Sequence, residues 1–324
     1  MIFRYQEKRS YDVVYADQEY KSLFFLFSFV GMILPYQTLN CRGRLVSLEY
    51  PAVMGIVNVN ADSFYRWSRE TRSADVCRRV ESMILAGAAM VDIGAMSSRP
   101  GADIIPAEDE WDRLKTPLTE IRKNFPDVIV SVDTLHSLTA QRSLDAGSDI
   151  INDISGGTYD PQMMPVMGRF QAPFVIMHMQ GLPGYMQDNP YYENVVTEVF
   201  DFFVRQLARA EDHGIVDLIL DPGFGFGKSI VHNYQLLHNL HVFEILRYPV
   251  LAGVSRKGMI QKILHVDADH ALNGTTAVHM LALLRGARIL RVHDVDAAME
   301  CIKIWEKFNN PEKEIIGSWP YIIG

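Results

Sequence analysis

The chain has 324 residues, 48% hydrophobic and 22% charged, the balance of a globular protein with a large core and not of a disordered chain. Its 31 basic and 39 acidic residues leave a net charge of −8 with no basic run or stripe, which argues against a nucleic-acid partner and leaves any anionic ligand to be met by local positive charge. Cys41, Cys77 and Cys301 are odd in number, far apart and without CxxC spacing, which argues against a disulfide framework or zinc site and fits a reducing, cytoplasmic setting.

Leu23–Leu34 is an apolar run too short to span a bilayer comfortably. Glu7, Asp12, Asp17 and Glu19 precede it, unlike the short basic start of a signal peptide. Met32 is an alternative start that makes residues 1–31 an upstream extension; an N-terminal anchor or signal and an ordered extra helix are the other readings. The expected organisation is an N-terminal extension over 1–37, one folded domain over 38–310 and a C-terminal tail over 311–324. Within 38–50, Arg42-Gly43-Arg44 could turn a small hairpin.

From Pro51 onward, short β-branched runs alternate with amphipathic stretches, the pattern of βα units and a parallel sheet. The predicted strands are Val53–Val59, Met90–Gly94, Val128–Asp133, Ile150–Ile154, Phe174–Met179, Leu218–Asp221, Val250–Ser255 and Ile289–His293. Helical periodicity covers Ser73–Ala86, Ala107–Asn124, Ser137–Ala146, Glu193–His213 and Ala271–Arg285. The fold class expected is α/β: a (β/α)₈ TIM barrel with a short N-terminal hairpin that plugs its bottom. An open doubly wound sheet is disfavoured because no GxGxxG follows the first strand.

Each predicted strand ends in polar residues: Asn58, Asp92, Asp133, Asn152-Asp153, His178, Asp221, Ser255-Arg256-Lys257 and Arg291-x-His293. Polar side chains at the C-terminal rim of a barrel are expected to point into its mouth, although any one could be a helix cap or a satisfied core group. Asn58, Lys257, Arg291 and His293 suit an anion or a metal-bound phosphate. Asp92, Asp133, Asn152 and Asp221 offer acceptors for a donor-rich heterocycle, and their carboxylates could stabilise positive charge. The stretch Asp221–Ser229 looks like a P-loop, but Pro222 stands where that motif needs glycine.

These residues lie in motifs that together resemble the dihydropteroate synthase family from about Leu39 to Trp305. The motifs are MGIVNVNADSF (54–64), SSRPGA (97–102), SVDT (131–134), IINDISGG (150–157), MHMQG (177–181), LDPGFGFGK (220–228), GVSRKGMI (253–260) and RVHDV (291–295). The resemblance implies a transferase that joins 6-hydroxymethyl-7,8-dihydropterin diphosphate to p-aminobenzoate and releases pyrophosphate. It implies catalytic roles for Asp133, Lys257 and Asp62. Asp133, Asn152, Met177, Asp221 and Lys257 would hold the pterin. Ser97, Ser98, Arg99, Pro100, Phe226 and Gly258 would hold p-aminobenzoate. Asn58, Ser98, Arg291 and His293 would meet the pyrophosphate, and Asn58 would bind Mg²⁺ with it. Sulfonamides as competitors and a homodimer also follow from the resemblance; no membrane is implied for the barrel.

Departures from the family pattern cluster in two loops expected at 60–72 and 95–105. Asn60-Ala61 replace Thr-Pro, Tyr65-Arg66-Trp67 replace Ser-Asp-Gly, Met96 replaces Glu, and Gly258 stands where Ser is common. Two alternatives therefore accompany the synthase reading: a catalytically weak pterin-binding paralogue and a pterin-dependent methyltransferase.

Overall fold

A computed structural model of the chain describes residues 38–59, 69–96, 101–312 and 322–323. The expectations for residues 1–37, including the Met32 start, lie outside the described residues. So do most of the first loop expected at 60–72, residues 97–100 of the second, and most of the C-terminal tail.

Eight parallel strands close into a barrel in the order β10-β3-β4-β5-β6-β7-β8-β9. They are β3 (Ala52–Asn58), β4 (Met90–Gly94), β5 (Ile129–Asp133), β6 (Ile150–Asp153), β7 (Phe174–Met177), β8 (Leu218–Asp221), β9 (Val250–Ala252) and β10 (Ala287–Val292). All eight predicted strands are found. Several are shorter at the C-terminal end than their apolar runs, because the chain leaves the ladder as it turns into the mouth. Helices α1 (Arg69–Leu85), α2 (Ala107–Asn124), α3 (Ser137–Asp145), α4 (Met163–Phe170), α5 (Val195–Asp212), α6 (Ile230–His238), α7 (Gly258–Leu264), α8 (Leu272–Leu284) and α9 (Val295–Asn309) follow the strands. Among these helices, none is long and apolar enough to cross a membrane.

Local chemistry explains the helix boundaries. The Asn194 side chain accepts from the backbone N–H groups of Val196 (3.0 Å) and Thr197 (3.1 Å), and Glu198 accepts from the N–H of Asn194. That satisfies donors which otherwise lack partners at the start of α5. Val199, Phe203 and Ala210 then keep one face of α5 buried against the barrel.

The barrel's inner and outer faces follow from strand parity. Val53, Val91, Val130, Ile151, Ile176, Leu220, Ala252 and Leu290 point outward into the shell of helices. At alternating positions, Met54, Met90, Ile129, Ile150, Val175, Ile219, Leu251 and Ile289 point inward and form a separate apolar layer. That layer is completed by Leu39, Cys41, Val46 and Leu48 from β1 (Thr38–Cys41), β2 (Arg44–Ser47) and the residue just after β2. The expected hairpin thus plugs the bottom of the barrel. An unforeseen third strand, β11 (Ile322–Ile323), pairs antiparallel with β2.

A buried charge fastens the plug. Asp149 is fully buried and meets Arg44 at 3.1 Å, Arg122, and the N–H of Val130 at 2.8 Å. Removing one partner of such a cluster strands the other charges, which costs far more than losing a surface pair. Asp149→Ala is expected to lower unfolding stability by about 3 kcal/mol. Breaking the solvent-facing Arg142–Glu108 pair should cost far less. Urea denaturation of the two variants checks the ranking, and equal losses would contradict it.

Candidate active site

Above the apolar layer, the same inward parity presents Asp92 and Gly94 on β4, Ser131 and Asp133 on β5, and Asn152 on β6. It continues with Met177 on β7, Asp221 on β8, Ser255 after β9, and Arg291 and His293 from β10 onward. Strand register aligns Asp133 with both Gly94 and Asn152, and Met177 with Asp221. Gly94 leaves room for its neighbour: a Cβ there would press on the Asp133 Cβ at 3.3 Å.

Three of the strand-end residues do not join this set, and parity gives the reason. Asp153 is one step out of phase and accepts from the Ser155 N–H and hydroxyl, both at 2.7 Å, and from the Gly157 N–H at 2.8 Å. It shapes a turn. His178 lies just past β7, out of phase with inward-facing Met177 and Val175, with its ring edge against Phe202. Arg256 forms a two-pronged pair with Asp294, at 2.7 and 2.9 Å, and donates to the carbonyls of Ala268 and Asp269. It ties the loop after β9 to the start of α9.

The centre of the mouth is an ion network. Arg291 donates through Nε to Asp92 at 2.6 Å and through a terminal nitrogen to Asp133 at 2.8 Å. Asn152 donates to the same Asp92 oxygen at 3.1 Å. Burial alone would depress the Arg291 pKa, but the carboxylates of Asp92 and Asp133 outweigh it and raise the value. Asp133 is pushed up to about 7 by burial, with Arg291 opposing and Asp92, Glu110 and Asp153 adding to the rise. Near neutral pH this carboxyl is therefore poised between its two forms.

Lys257 and Asp221 form the opposite wall. Burial raises the Asp221 pKa against the pull of Lys257, and Asp221 accepts from the Gly223 N–H at 2.8 Å. The Lys257 ammonium donates to the Phe224 carbonyl and lies 4.6 Å from the centre of the Phe226 ring. Burial lowers its pKa to about 8. Met177 and Phe226 belong to a small apolar cluster with Met96, Leu135, Ile154 and Met186.

At the lip, His293 contacts the Ser255 hydroxyl at 3.1 Å, and burial together with the Arg291 charge lowers its pKa to about 4. Asn58 stands exposed at the end of β3. Gly258 opens α7 with empty space where a Cβ would sit, so the missing side chain there is not a steric requirement.

Three buried polar atoms in this network have no protein partner: Asp92 Oδ1, Asn152 Oδ1 and Ser131 Oγ. Unpaired polar atoms are costly in a sealed core. Grouped below an open mouth, they fit a ligand that brings its own hydrogen-bonding groups.

Of the residues picked from the sequence, Asp133, Asn152, Met177, Asp221, Phe226, Lys257, Arg291 and His293 converge on one mouth, with Asn58 and Gly258 at its rim. Asp62, Ser97, Ser98, Arg99 and Pro100 lie outside the described residues. Asp92 is legible in the sequence as a strand-end acceptor for a heterocycle but is absent from the pterin set that the resemblance implies, although it anchors Arg291. Its signal was its position two residues before Gly94, in phase with the inward face.

The family model for pterin binding enzymes matches residues 54–293. The chain belongs to that family. It is 40% identical over 274 residues to the dihydropteroate synthase of Haemophilus influenzae, covering 84% of this chain and 99% of the relative. The Yersinia pestis dihydropteroate synthase solved with a sulfonamide drug complex superposes with a TM-score of 0.79 at 37% identity, covering 84% of this chain and 99% of the other. The Xanthomonas albilineans dihydropteroate synthase solved with 4-aminobenzoic acid gives 0.78 at 36% identity, covering 85% and 98%.

The ion network makes a titration prediction. Arg291 opposes the upward shift of Asp133, so Arg291→Met should move the Asp133 midpoint from about 7 to a higher pH. Carboxyl carbon NMR of aspartate-labelled protein, assigned with Asp133→Asn, reads this directly. A midpoint that stays put or falls in Arg291→Met would contradict the pairing.

Proposed function

We propose that this chain is a working dihydropteroate synthase, joining 6-hydroxymethyl-7,8-dihydropterin diphosphate to p-aminobenzoate. The observation that carries the reading is Arg291 held between Asp92 and Asp133, an anion-binding group set directly against a carboxylate. The substrate needs that juxtaposition, because a diphosphate departs from the carbon that becomes positively charged. Full-length relatedness to dihydropteroate synthases supports it.

In this reading, Asn152, Asp221 and Lys257 hydrogen-bond the pterin edge, and Met177 lies against its face. Arg291 exchanges Asp133 for the diphosphate and, with His293, neutralises charge on the leaving group. As the carbon–oxygen bond breaks, the carboxylate of Asp133 stabilises the cation delocalised over the dihydropterin. The aniline nitrogen of p-aminobenzoate then forms the new carbon–nitrogen bond and gives up a proton. Phe226 and Gly258 frame that second substrate together with Ser97, Ser98, Arg99 and Pro100. Ser98 also meets the diphosphate. The first loop contributes Asp62 as a further catalytic group. No protein nucleophile is required. Sulfonamides, which mimic p-aminobenzoate, would compete for the same pocket.

Magnesium fits this donor set as an ion that arrives with the diphosphate. Among the described residues no cluster of three acidic, histidine or cysteine side chains could hold a metal, and Mg²⁺ usually keeps water and substrate phosphate oxygens in its shell. The Asn58 side chain would supply one protein ligand. The bound ion would offset charge on the departing pyrophosphate. The free thiols of Cys41, Cys77 and Cys301 suit a reducing cytoplasm.

A second copy of the chain is the partner this reading includes. Leu281 (49% exposed) and Leu284 (48%) on α8, with Ile304 (61%) and Phe308 (68%) on α9, leave apolar surface on two neighbouring helices. Such surface marks an association face when it is contiguous. The double variant Ile304→Asp/Phe308→Asp should halve the mass seen by sedimentation equilibrium. A parent protein that is already monomeric at micromolar concentration would dispose of the dimer.

Turnover is the direct test. The purified chain, incubated with Mg²⁺, hydroxymethyldihydropterin diphosphate and labelled p-aminobenzoate, should yield labelled dihydropteroate. Lys257→Ala should lose at least a hundredfold in kcat/KM. Tight binding of the pterin diphosphate without product would leave a pterin-binding paralogue instead.

A further inference from the structure

The segment Pro222–Lys228 joins β8 to α6, and most of its backbone polar groups are claimed. The Gly223 carbonyl accepts from Lys228 at 2.9 Å, and the Phe226 carbonyl accepts from the same ammonium at 3.0 Å. The Phe224 carbonyl accepts from Lys257, and the Gly225 carbonyl accepts from Gln187. The Gly227 carbonyl accepts from the Tyr192 hydroxyl at 3.0 Å. Asn233 accepts from the Gly225 N–H at 2.7 Å and donates to the Lys228 carbonyl at 3.3 Å. Gly223 and Gly227 sit at φ +70° and +61°, and a Cβ on either would collide with the carbonyl of His178 or Gln180. The segment therefore lies flat on the chain leaving β7.

Lys228 is folded beneath it, only 3% exposed. Its ammonium also faces the His178 carbonyl at 3.2 Å and His178 Nδ1 at 2.9 Å. An ammonium has no lone pair to accept with, so opposite a charged Lys228 the Nδ1 of His178 is the acceptor and its ring is neutral. Burial lowers both pKa values; the Lys228 charge lowers that of His178 further, while for Lys228 the carboxylate of Asp221 opposes the fall and Lys257 adds to it. A buried ammonium is expensive unless its hydrogen bonds are complete, and a neutral side chain could fill the same space. What the lysine nitrogen does that an apolar side chain could not is donate to the carbonyls of Gly223 and Phe226 together. Between those two carbonyls lies Phe224, whose own carbonyl receives Lys257. Phe226 itself carries the ring beside the Lys257 ammonium.

We propose that Lys228 is a positioning residue for the reaction: it sets the 223–226 turn so that the Phe224 carbonyl and Phe226 ring hold Lys257 where the two substrates meet. Lys228 touches neither substrate and acts only through this turn. The assignment rests on the synthase reading of the mouth.

The test compares the full chain with Lys228→Met and His178→Gln in steady-state kinetics for both substrates, alongside thermal melting. A second readout is the rate at which Lys257 is acetylated by acetic anhydride at pH 8, followed by peptide mass spectrometry. In Lys228→Met, the KM for p-aminobenzoate should rise at least tenfold more than the KM for the pterin diphosphate. Lys257 acetylation should change at least threefold in the folded protein. His178→Gln, which keeps the ammonium but loosens one acceptor, should shift both readouts in the same direction by less. Unchanged KM values and unchanged Lys257 acetylation in folded Lys228→Met would overturn the proposal. If that variant does not fold, His178→Gln decides: movement of both readouts supports the proposal, and parent-like values overturn it. A parent protein that makes no dihydropteroate refutes the synthase reading instead, and the acetylation readout still judges the Lys228 contact.

Discussion

Arg291 sits half-buried in the mouth with a carboxylate on each prong, and the surrounding chemistry is arranged around that triple. Two carboxylates share one cation in a poorly solvated space, so removing Arg291 would leave both without their counter-charge. The barrel makes the arrangement possible. β10, β4 and β5 each place an inward side chain at a similar depth, and Arg291 is long enough to reach past β3 to both partners. Gly94 contributes by having no side chain, which gives Asp133 its place.

The triple is self-satisfied only in part. Asp92 is bound on one oxygen only, and Asn152 is bound through its amide nitrogen while its oxygen has no protein partner. A ligand that donates to these atoms and accepts from Arg291 completes the network without new desolvation by the protein. In the proposed reaction, an anionic group that takes the guanidinium would displace Asp133 from it. Binding of an anionic group is thereby coupled to the release of a carboxylate beside it. On the other wall Lys257 is restrained by a carbonyl and an aromatic ring rather than by a carboxylate alone, which keeps it directed along the loop after β8.

Much of this was legible before any coordinates. The alternation of β-branched runs and amphipathic stretches located all eight strands, and Arg42-Gly43-Arg44 marked the plug hairpin. Reading the last polar residue of each run as a site residue failed at Asp153, His178 and Arg256, because strand phase and not proximity to the strand end decides which way a side chain points. Counting in steps of two from Met54 or Met90 would have separated them and promoted Asp92. The glycines of 223–227 resisted a sequence reading for a different cause. Their spacing answers to the carbonyls of His178 and Gln180, which are distant in sequence. Lys228 ends a stretch whose likeness to a P-loop Pro222 rules out, and only the fold turns it inward. β11 was not visible in so short a segment, whose pairing depends on a partner strand at the other end of the chain.

The exchange at Arg291 is the step on which the account stands. A crystal structure of the protein with 6-hydroxymethyl-7,8-dihydropterin diphosphate, without p-aminobenzoate, examines it directly. The expected result places the pterin edge against Asn152 and Asp221, with Arg291 still on Asp92 but moved from Asp133 to the diphosphate. A diphosphate bound elsewhere, with Arg291 still bridging both carboxylates, would contradict the account.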